Sequence, residues 1–350
     1  MKSCNKAAGR KRLSEQTAYQ CNPEKTGDHM KAIAKGRLAG AVLVAATAVF
    51  AAMNASAAWP ERPVRIVVPW APGGSTDINT RILAADLNKQ FKQQVIVENR
   101  AGAGSIVGLQ FTSQLPPDGY NYLINSTGYG FLINKKSNVD LVNTFTSVAM
   151  IGVADSALVV NPYLPVTTVK ELIALAKKRP GELLYSSSGI GGFPHMNTEL
   201  FKMMAGINLV HVPFKGGGPA IADTAAGFTQ LQIGSVPTVI GQVRANRLRA
   251  IAVGGPKRNP ALPGLPTISE SGVPGYESQI WFGVFAPKKT NPDNMHKAIN
   301  AALDNPEVVK RLNEQGTEVQ KMTTEAFAKY MVSEQEKWAK VIKIANITGD

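Results

Sequence analysis

An α/β fold built on mostly parallel sheets is what this 350-residue sequence predicts, on three observations. Short β-branched runs alternate with stretches whose apolar residues recur at helical spacing. Glycine-rich breaks stand between run and helix, as they do where crossover helices wind a parallel sheet. No repeat of fixed period interrupts the order, so a solenoid is excluded.

The elements follow from local patterns. Val64–Val68 is a β-branched run, and after Gly73-Gly74-Ser75 a helix is read from Ile78, Ile82, Leu83, Leu87 and Phe91. Val95–Val97 reads as a strand, Ser105–Gln114 as a helix and Tyr120–Ile124 as a strand. Ser147–Gly152 and Ala157–Val160 read as two further strands. Thr168 and Glu171 have the spacing of a capping box for a helix through Lys178. Leu183–Ser187 is a strand, and a helix is expected from Met196 to Met204 after Gly189–Gly192. Leu209–Pro213, Leu231–Ile233 and Leu248–Val253 continue the alternation. Asn291-Pro292 and Asn305-Pro306 each offer an N-cap followed by proline at the first helical position. Phe327, Tyr330, Met331, Trp338, Val341 and Ile342 form the buried stripe of a last helix.

Hydrophobic residues make up 44% of the chain and charged residues 18%, ample for a buried core. At roughly 100–200 residues per domain the length points to two domains. With Gly 32 and Pro 22, collagen-like and low-complexity classes are excluded. Lys31, Lys35 and Arg37 precede an apolar run from Leu38 to Met53 that ends in Ala55-Ser56-Ala57, the pattern of a secretory signal peptide over residues 30–57. A buried N-terminal helix would need a polar face that this Ala/Val run lacks. Met30 stands where such a signal would begin, so residues 1–29 are expected to be an upstream extension without a fold of its own. The run is shorter than the roughly 20 apolar residues a bilayer-spanning helix needs.

Setting residues 1–57 aside removes nine of the 38 Lys+Arg and three of the 25 Asp+Glu, leaving a formal charge of +7. Such a bias favours anionic solutes, and equally a solvated surface. No basic stripe with interleaved aromatics points to nucleic acid. Cys4 and Cys21 fall in the same segment, so neither a disulfide framework nor a thiolate metal site is expected beyond it. His195, His211 and His296 are too scattered for a metal cluster.

Three glycine-rich loops join a strand to a helix, where backbone can approach a ligand and free N–H groups can meet an anion. The first runs from Pro69 to Asp77 and holds Pro72, Gly73 and Gly74, with Ser75 or Thr76 as the expected N-cap. Asp77 sits in the first turn, where stabilising the helix dipole and contacting a ligand are both open. The second runs from Ser186 to His195 and adds the hydroxyl of Ser188 to Gly189 and Gly191; His195 either touches ligand or pins the loop. The third, Val212 to Ala220, places Gly216, Gly217 and Gly218 before a helix, with Lys215 beside them. Gly102, Gly104 and Gly108 form G-x-G-x-x-x-G, one residue off the dinucleotide fingerprint, and the acidic residue expected about twenty positions on is absent. No G-x-S-x-G elbow is present, and the three histidines suggest no nucleophile–base pair.

Eight motifs in order then carry a resemblance over nearly the whole chain after residue 57. They are Trp59-Pro60-Glu61-Arg62-Pro63, Pro72-Gly73-Gly74-x-x-Asp77, Val97-Glu98-Asn99-Arg100-Ala101-Gly102-Ala103 and Pro117-Asp118-Gly119-Tyr120. Ser187-Ser188-Gly189-x-Gly191 with His195, His211 through Gly218, Pro266 through Gly272 and Trp281-Phe282-Gly283 complete them. The sequence resembles the Bug-type solute-binding receptors of the tripartite tricarboxylate transporter system.

That resemblance implies a two-lobe fold of the type II periplasmic-binding kind with a ligand cleft between the lobes. Lobe 1 would comprise residues 58–157 plus 282–350 and lobe 2 residues 158–281. The expected ligand is a small carboxylate held by backbone groups, hydroxyls and bridging waters. Pro72, Gly73, Gly74, Asp77, Ser126 and Thr127 would contact it from lobe 1. Ser188, Gly189, Gly191, His195, Gly216, Gly217 and Ser235 would contact it from lobe 2. Ser235 stands where the family often has an acid or amide, which disfavours an amino-acid ligand. Phe193 and Pro194, in a loop usually richer in Ser and Asn, would wall an apolar or aromatic tail. The resemblance further implies a periplasmic, Sec-exported monomer of a Gram-negative cell that serves membrane permease subunits, with no cofactor, metal or catalytic residue. Dicarboxylate, tricarboxylate and aromatic acids all remain open. The competing reading, an exported enzyme acting on a small carboxylate or ester, needs a catalytic base that the sequence does not supply.

Overall fold

The computed structural model describes residues 59–134, 137–344 and 347. The signal peptide and upstream extension expected for residues 1–57 lie outside them. Among the described residues no helix is long and apolar enough to cross a membrane.

The chain runs β1 (Val64–Val68), α1 (Ser75–Phe91), β2 (Val95–Asn99), α2 (Ile106–Ser113), β3 (Asn121–Ser126), α3 (Gly130–Ile133) and β4 (Phe145–Val160). It continues α4 (Val169–Lys178), β5 (Leu184–Ser187), α5 (Phe193–Ala205), β6 (Val210–Pro213), α6 (Gly217–Ala226), β7 (Leu231–Ser235), α7 (Val236–Arg244) and β8 (Arg249–Val253). It ends β9 (Gln279–Pro287), α8 (Asp293–Asp304), α9 (Pro306–Glu314), β10 (Thr317–Val319) and α10 (Thr324–Ile344).

The strands form one ten-stranded sheet in the order β2-β1-β3-β9-β4-β7-β5-β6, with β8 and β10 also pairing β4. The expectation of mostly parallel sheets holds only at the two ends. Strands β1, β2 and β3 are parallel, as are β5, β6 and β7. Every pairing of β4 is antiparallel, and so is that of β3 with β9. The reason is connectivity: β4 and β9 run side by side through the middle of the sheet and link its halves. From Phe145 to Asp155 strand β4 pairs with β9, and from Ser156 to Val160 it pairs with β7. The two strands expected at 147–152 and 157–160 are therefore one strand of 16 residues. Nothing between them forms a turn, since Val153 and Ala154 pair with both β9 and β10.

Each half carries apolar residues on both sheet faces, which is why β1 and β4 are almost wholly buried instead of alternating. In the first half one core gathers Ile66, Leu83, Ile124, Phe282 and Ile299, and the other Leu123, Tyr129, Trp281, Phe327 and Trp338. In the second half the cores centre on Leu158, Tyr185, Phe201 and Ile233, and on Val159, Val239 and Val253. Helix α5 breaks this partition: Phe193 and Met196 of its first two turns insert into the two cores of the first half. The helix begins three residues before the expected Met196 because Pro194 fits its first turn.

Two expected caps shift. Helix α8 begins at Asp293 behind Pro292, and Asn291 accepts the Asp293 N–H at 2.9 Å from one residue further out. The N-cap of α1 is Gly74 and neither Ser75 nor Thr76, both of which lie inside the helix. Asn305 caps α9 and Thr168 with Glu171 forms the capping box of α4, both as read.

Candidate functional site

The C-terminal ends of β3, β5 and β7 and the first turns of α1, α5, α6 and α7 converge on one cavity of about 30 Å³. Trp70, Gly74, Ser75, Thr76, Ser126 and Thr127 line it from the first half, with Ile280 of β9. Ser188, Phe193, Pro194, Gly217, Ser235 and Thr238 line it from the second half. None of these side chains is charged.

The helix starts are the site's main source of positive potential. Gly74, Gly192 and Gly216, the N-caps of α1, α5 and α6, have no side chain to offer, and Ser235, the N-cap of α7, makes no cap bond. Its hydroxyl instead pairs with Thr238 Oγ1 at 2.9 Å. First-turn N–H groups of four helices are thus left without a local acceptor, and the helix dipoles add to their pull on an anion.

Hydroxyls supply the rest. Thr76 Oγ1 and Ser126 Oγ share a hydrogen bond of 2.8 Å, and Ser75 N–H donates across the cavity to Thr238 Oγ1 at 3.0 Å. Thr127 is fixed against β9: its Oγ1 accepts Trp281 N–H at 3.1 Å and its N–H donates to Trp281 O at 3.3 Å. Trp70 Nε1 donates to Asn125 Oδ1 at 3.2 Å, which leaves its ring to face the cavity.

Of the thirteen site residues read from the sequence, six line this cavity: Gly74, Ser126, Thr127, Ser188, Gly217 and Ser235. The other seven do not. Asp77 is buried and fully engaged, accepting from Gly73 N–H at 3.1 Å, from Asn99 Nδ2 at 3.0 Å and from Arg81. Burial pushes the Asp77 carboxyl up, but the bonds from Arg81, Asn99 and Gly73 outweigh it and hold the group below its ordinary value. His195 Nδ1 accepts Gly191 N–H at 3.1 Å, the pinning alternative.

Pro72, Gly73, Gly189, Gly191 and Gly216 lie where backbone from the two halves meets. A Cβ on Gly216 would sit 2.6 Å from Ala71 N, and one on Gly191 would sit 2.5 Å from Gly130 N. A Cβ on Gly218 would strike Pro72 O. Ala71 N–H donates to Lys215 O at 3.1 Å and Tyr129 N–H to Gly191 O at 2.8 Å, sealing the same contact. Gly104 of the dinucleotide-like motif joins it, since its Cβ would strike Ile190 O. Lys215 contributes its backbone carbonyl, while its side chain is exposed.

Sequence reasoning missed Thr238 and Ile280 as lining residues, and gave Ser75 and Thr76 only as caps and Trp70 only as part of the first loop. For Thr238 a signal existed in Ser235-Val236-Pro237-Thr238, a hydroxyl three residues after an N-cap next to a strand end. For Ile280 none exists, because β9 is defined by its pairing with β4 and not by a local pattern.

The family model described as tripartite tricarboxylate transporter family receptor matches residues 79–347. Protein BugT of Bordetella pertussis is 34% identical over 305 residues, covering 85% of this chain and 94% of BugT. The structure of R. palustris Rpa4515 with adipate superposes with a TM-score of 0.79 at 35% identity, covering 83% of this chain and 99% of that one. The structure of periplasmic binding protein BugD superposes equally well, with a TM-score of 0.79 at 31% identity over 83% of this chain and 99% of that one. The mixed sheet crossed twice at its centre is thus a periplasmic-binding-protein fold, and the chain belongs to the tripartite tricarboxylate transporter receptor family.

Proposed function

We propose that this protein is a periplasmic receptor that captures a small carboxylate between the hydroxyl-bearing walls of this cavity, which part from the form of about 30 Å³ to admit it, and delivers it to a membrane permease of a tripartite transporter. The observation that carries the reading is the convergence of four uncapped helix N-termini on a cavity lined by no charged side chain. Such a site takes a carboxylate on N–H and O–H donors without an arginine. It offers no carboxylate to an ammonium group, which disfavours amino acids. Rpa4515, similar over most of its length, was solved with adipate, a dicarboxylate of this class.

The two halves of the sheet serve as lobes, divided a few residues before the expected 157/158 and 281/282 boundaries, because residues 279–281 pair with β4 in the first half while Ser156 and Ala157 pair with β7 in the second. The switch of β4 from one partner to the other at Asp155 and Ser156 supports a hinge there. A ligand that touches both lobes only when they are together shifts the population toward closure. Gly74, Ser75, Thr76, Ser126, Thr127, Ser188, Gly217, Ser235 and Thr238 contact the ligand. Pro72, Gly73, Asp77, Gly189, Gly191, His195 and Gly216 shape the loops that present them. An exported enzyme would instead need a general base beside the hydroxyls.

The test is a thermal-shift screen of the protein, unfolded and refolded to strip retained solute, against adipate and other mono-, di-, tri- and aromatic carboxylic acids. A ligand at 100 times its dissociation constant adds about 2.7 kcal/mol to the folded state. A raised melting temperature with unchanged acid is the expected result. Conversion of the acid to product would establish the enzyme instead.

A further inference from the structure

The loop from Ser187 to Gly192 carries Ser188 into the cavity and starts α5, and it is held by two imidazoles that do not line the cavity. His195 Nδ1 accepts the Gly191 N–H at 3.1 Å. His211 Nε2 is hydrogen-bonded to Ser187 Oγ, which in turn accepts the Gly189 N–H at 3.1 Å. The two rings stack at 4.2 Å and 18°, and Tyr185 stacks on the far side of His211 at 4.9 Å and 15°. The loop cannot easily hold itself: Gly189 and Gly191 take φ of +117° and +74°, and Gly191 O receives the Tyr129 N–H of the first half.

We propose that His195, backed by His211, is a positioning residue that keeps this loop in its ligand-receiving shape only while its ring is neutral, so that the site loosens in acid. The proposal depends on the receptor reading for its consequence and not for its geometry. A proton on Nδ1 would face the Gly191 N–H donor to donor, so that bond must break before the ring can charge at that nitrogen. A charged ring would also lie 4.2 Å from the face of His211. The charged or titratable groups around the pair are Tyr185 of β5, His211 of β6, and Glu199 and Lys202 of α5. Glu199 is already shared between Tyr185 Oη at 2.6 Å and Lys202 Nζ at 2.7 Å. Burial, against a smaller pull from Glu199, lowers the His195 pKa to about 4, and burial with the neighbouring His195 and Lys202 lowers that of His211 to about 3. Released from the loop, each ring would return to about 6.5.

The test is amide hydrogen exchange at Gly191 by nuclear magnetic resonance, referred to the intrinsic rate at each pH. Protection is expected to fall at least tenfold between pH 7 and pH 4.5 and to level off near pH 4, where the His195 ring resonance itself titrates. In His195→Asn, whose Oδ1 can accept the same N–H without titrating, the fall should vanish. Flat protection in the unaltered protein, a fall that persists in His195→Asn, or a fall that continues unchanged once the His195 ring is fully charged would overturn the proposal. The comparison of ring and amide needs no variant to fold. A parallel titration with adipate at pH 7 separates the two readings: no binding there strikes at the receptor function, while the exchange data still judge the loop.

Discussion

The four helices that open onto the cavity begin differently from four of the six that do not; the short α2 and α3, behind Ser105 and Tyr129, also lack a side-chain cap. At α4, α8, α9 and α10 a side chain takes an N–H of the first turn: Thr168, Asn291, Asn305 and Thr323 accept at 3.2, 2.9, 3.0 and 3.2 Å. At α1, α5, α6 and α7 the N-cap is glycine or a serine whose hydroxyl is turned elsewhere. A side-chain cap contributes about 1 kcal/mol. Its absence at four helices that share one cavity reads as stability forgone so that their N–H groups stay free for a ligand. The nearest approach to a cap is Thr238 on Ser75 N–H, and it comes from across the cavity.

The comparison can be broken most decisively at Gly74. Its φ of −84° and ψ of 167° suit any residue, and a Cβ there would sit 3.4 Å from Gly217 N. Gly74→Asp would place a permanent carboxylate on the α1 N-terminus. The expected outcome is loss of carboxylate binding by more than about 100-fold, since like charge and lost space act together, with a melting temperature that is unchanged or slightly raised. Calorimetric titration and a thermal melt on the same variant read both sides. Binding that survives would mean that α1 is not part of the cradle.

The outward helices give the opposite pattern. Thr168→Ala removes the capping box of α4 and should lower stability by about 1 kcal/mol while leaving affinity unaltered. A changed dissociation constant would show that capping and binding are not separable in the way the two groups of helices suggest.

Acid sharpens the contrast on a smaller scale. His195 and His211 are neutral in the folded protein down to about pH 4 and 3, whereas in the unfolded chain both bind protons from about pH 6.5. The unfolded state therefore holds more protons across this window, so stability falls as pH drops from 6.5 toward 4. Asp77 acts lower: its depressed pKa adds stability that is present above its ordinary value and is lost as pH falls through the folded one. A melting temperature several degrees lower at pH 4.5 than at pH 7 is expected, with the difference reduced in His211→Asn. A pH-independent melt would contradict the buried neutral stack.

Much of this was legible in the sequence, and the parts that were not share a cause. The β-branched run 64–68, the capping box at Thr168 and the Asn305-Pro306 start are local signals, and local structure obeyed them. Local pattern divides the strand from Phe145 to Val160 in two and does not mark β9, because the length of both is set by their pairing with each other. The three glycine loops were read as a ligand cradle, yet much of their glycine serves backbone-to-backbone approach between the halves. Gly216 against Ala71 and Gly191 against Gly130 are contacts that no spacing within one loop announces. Asp77 and His195 were each left with two readings, and only the partners Gly73, Arg81, Asn99 and Gly191 separate them.

On the proposed reading a carboxylate is recognised by uncapped helix ends and hydroxyls without a cationic side chain. The most direct test is calorimetric titration of the protein with adipate and with dimethyl adipate, repeated for whichever acid gives the largest thermal shift and its own ester. Saturable one-to-one binding of the acid, with the ester weaker by more than about tenfold, is expected, because only the ionised group draws charge-assisted bonds from the helix N–H groups. Equal affinity for acid and ester would contradict it.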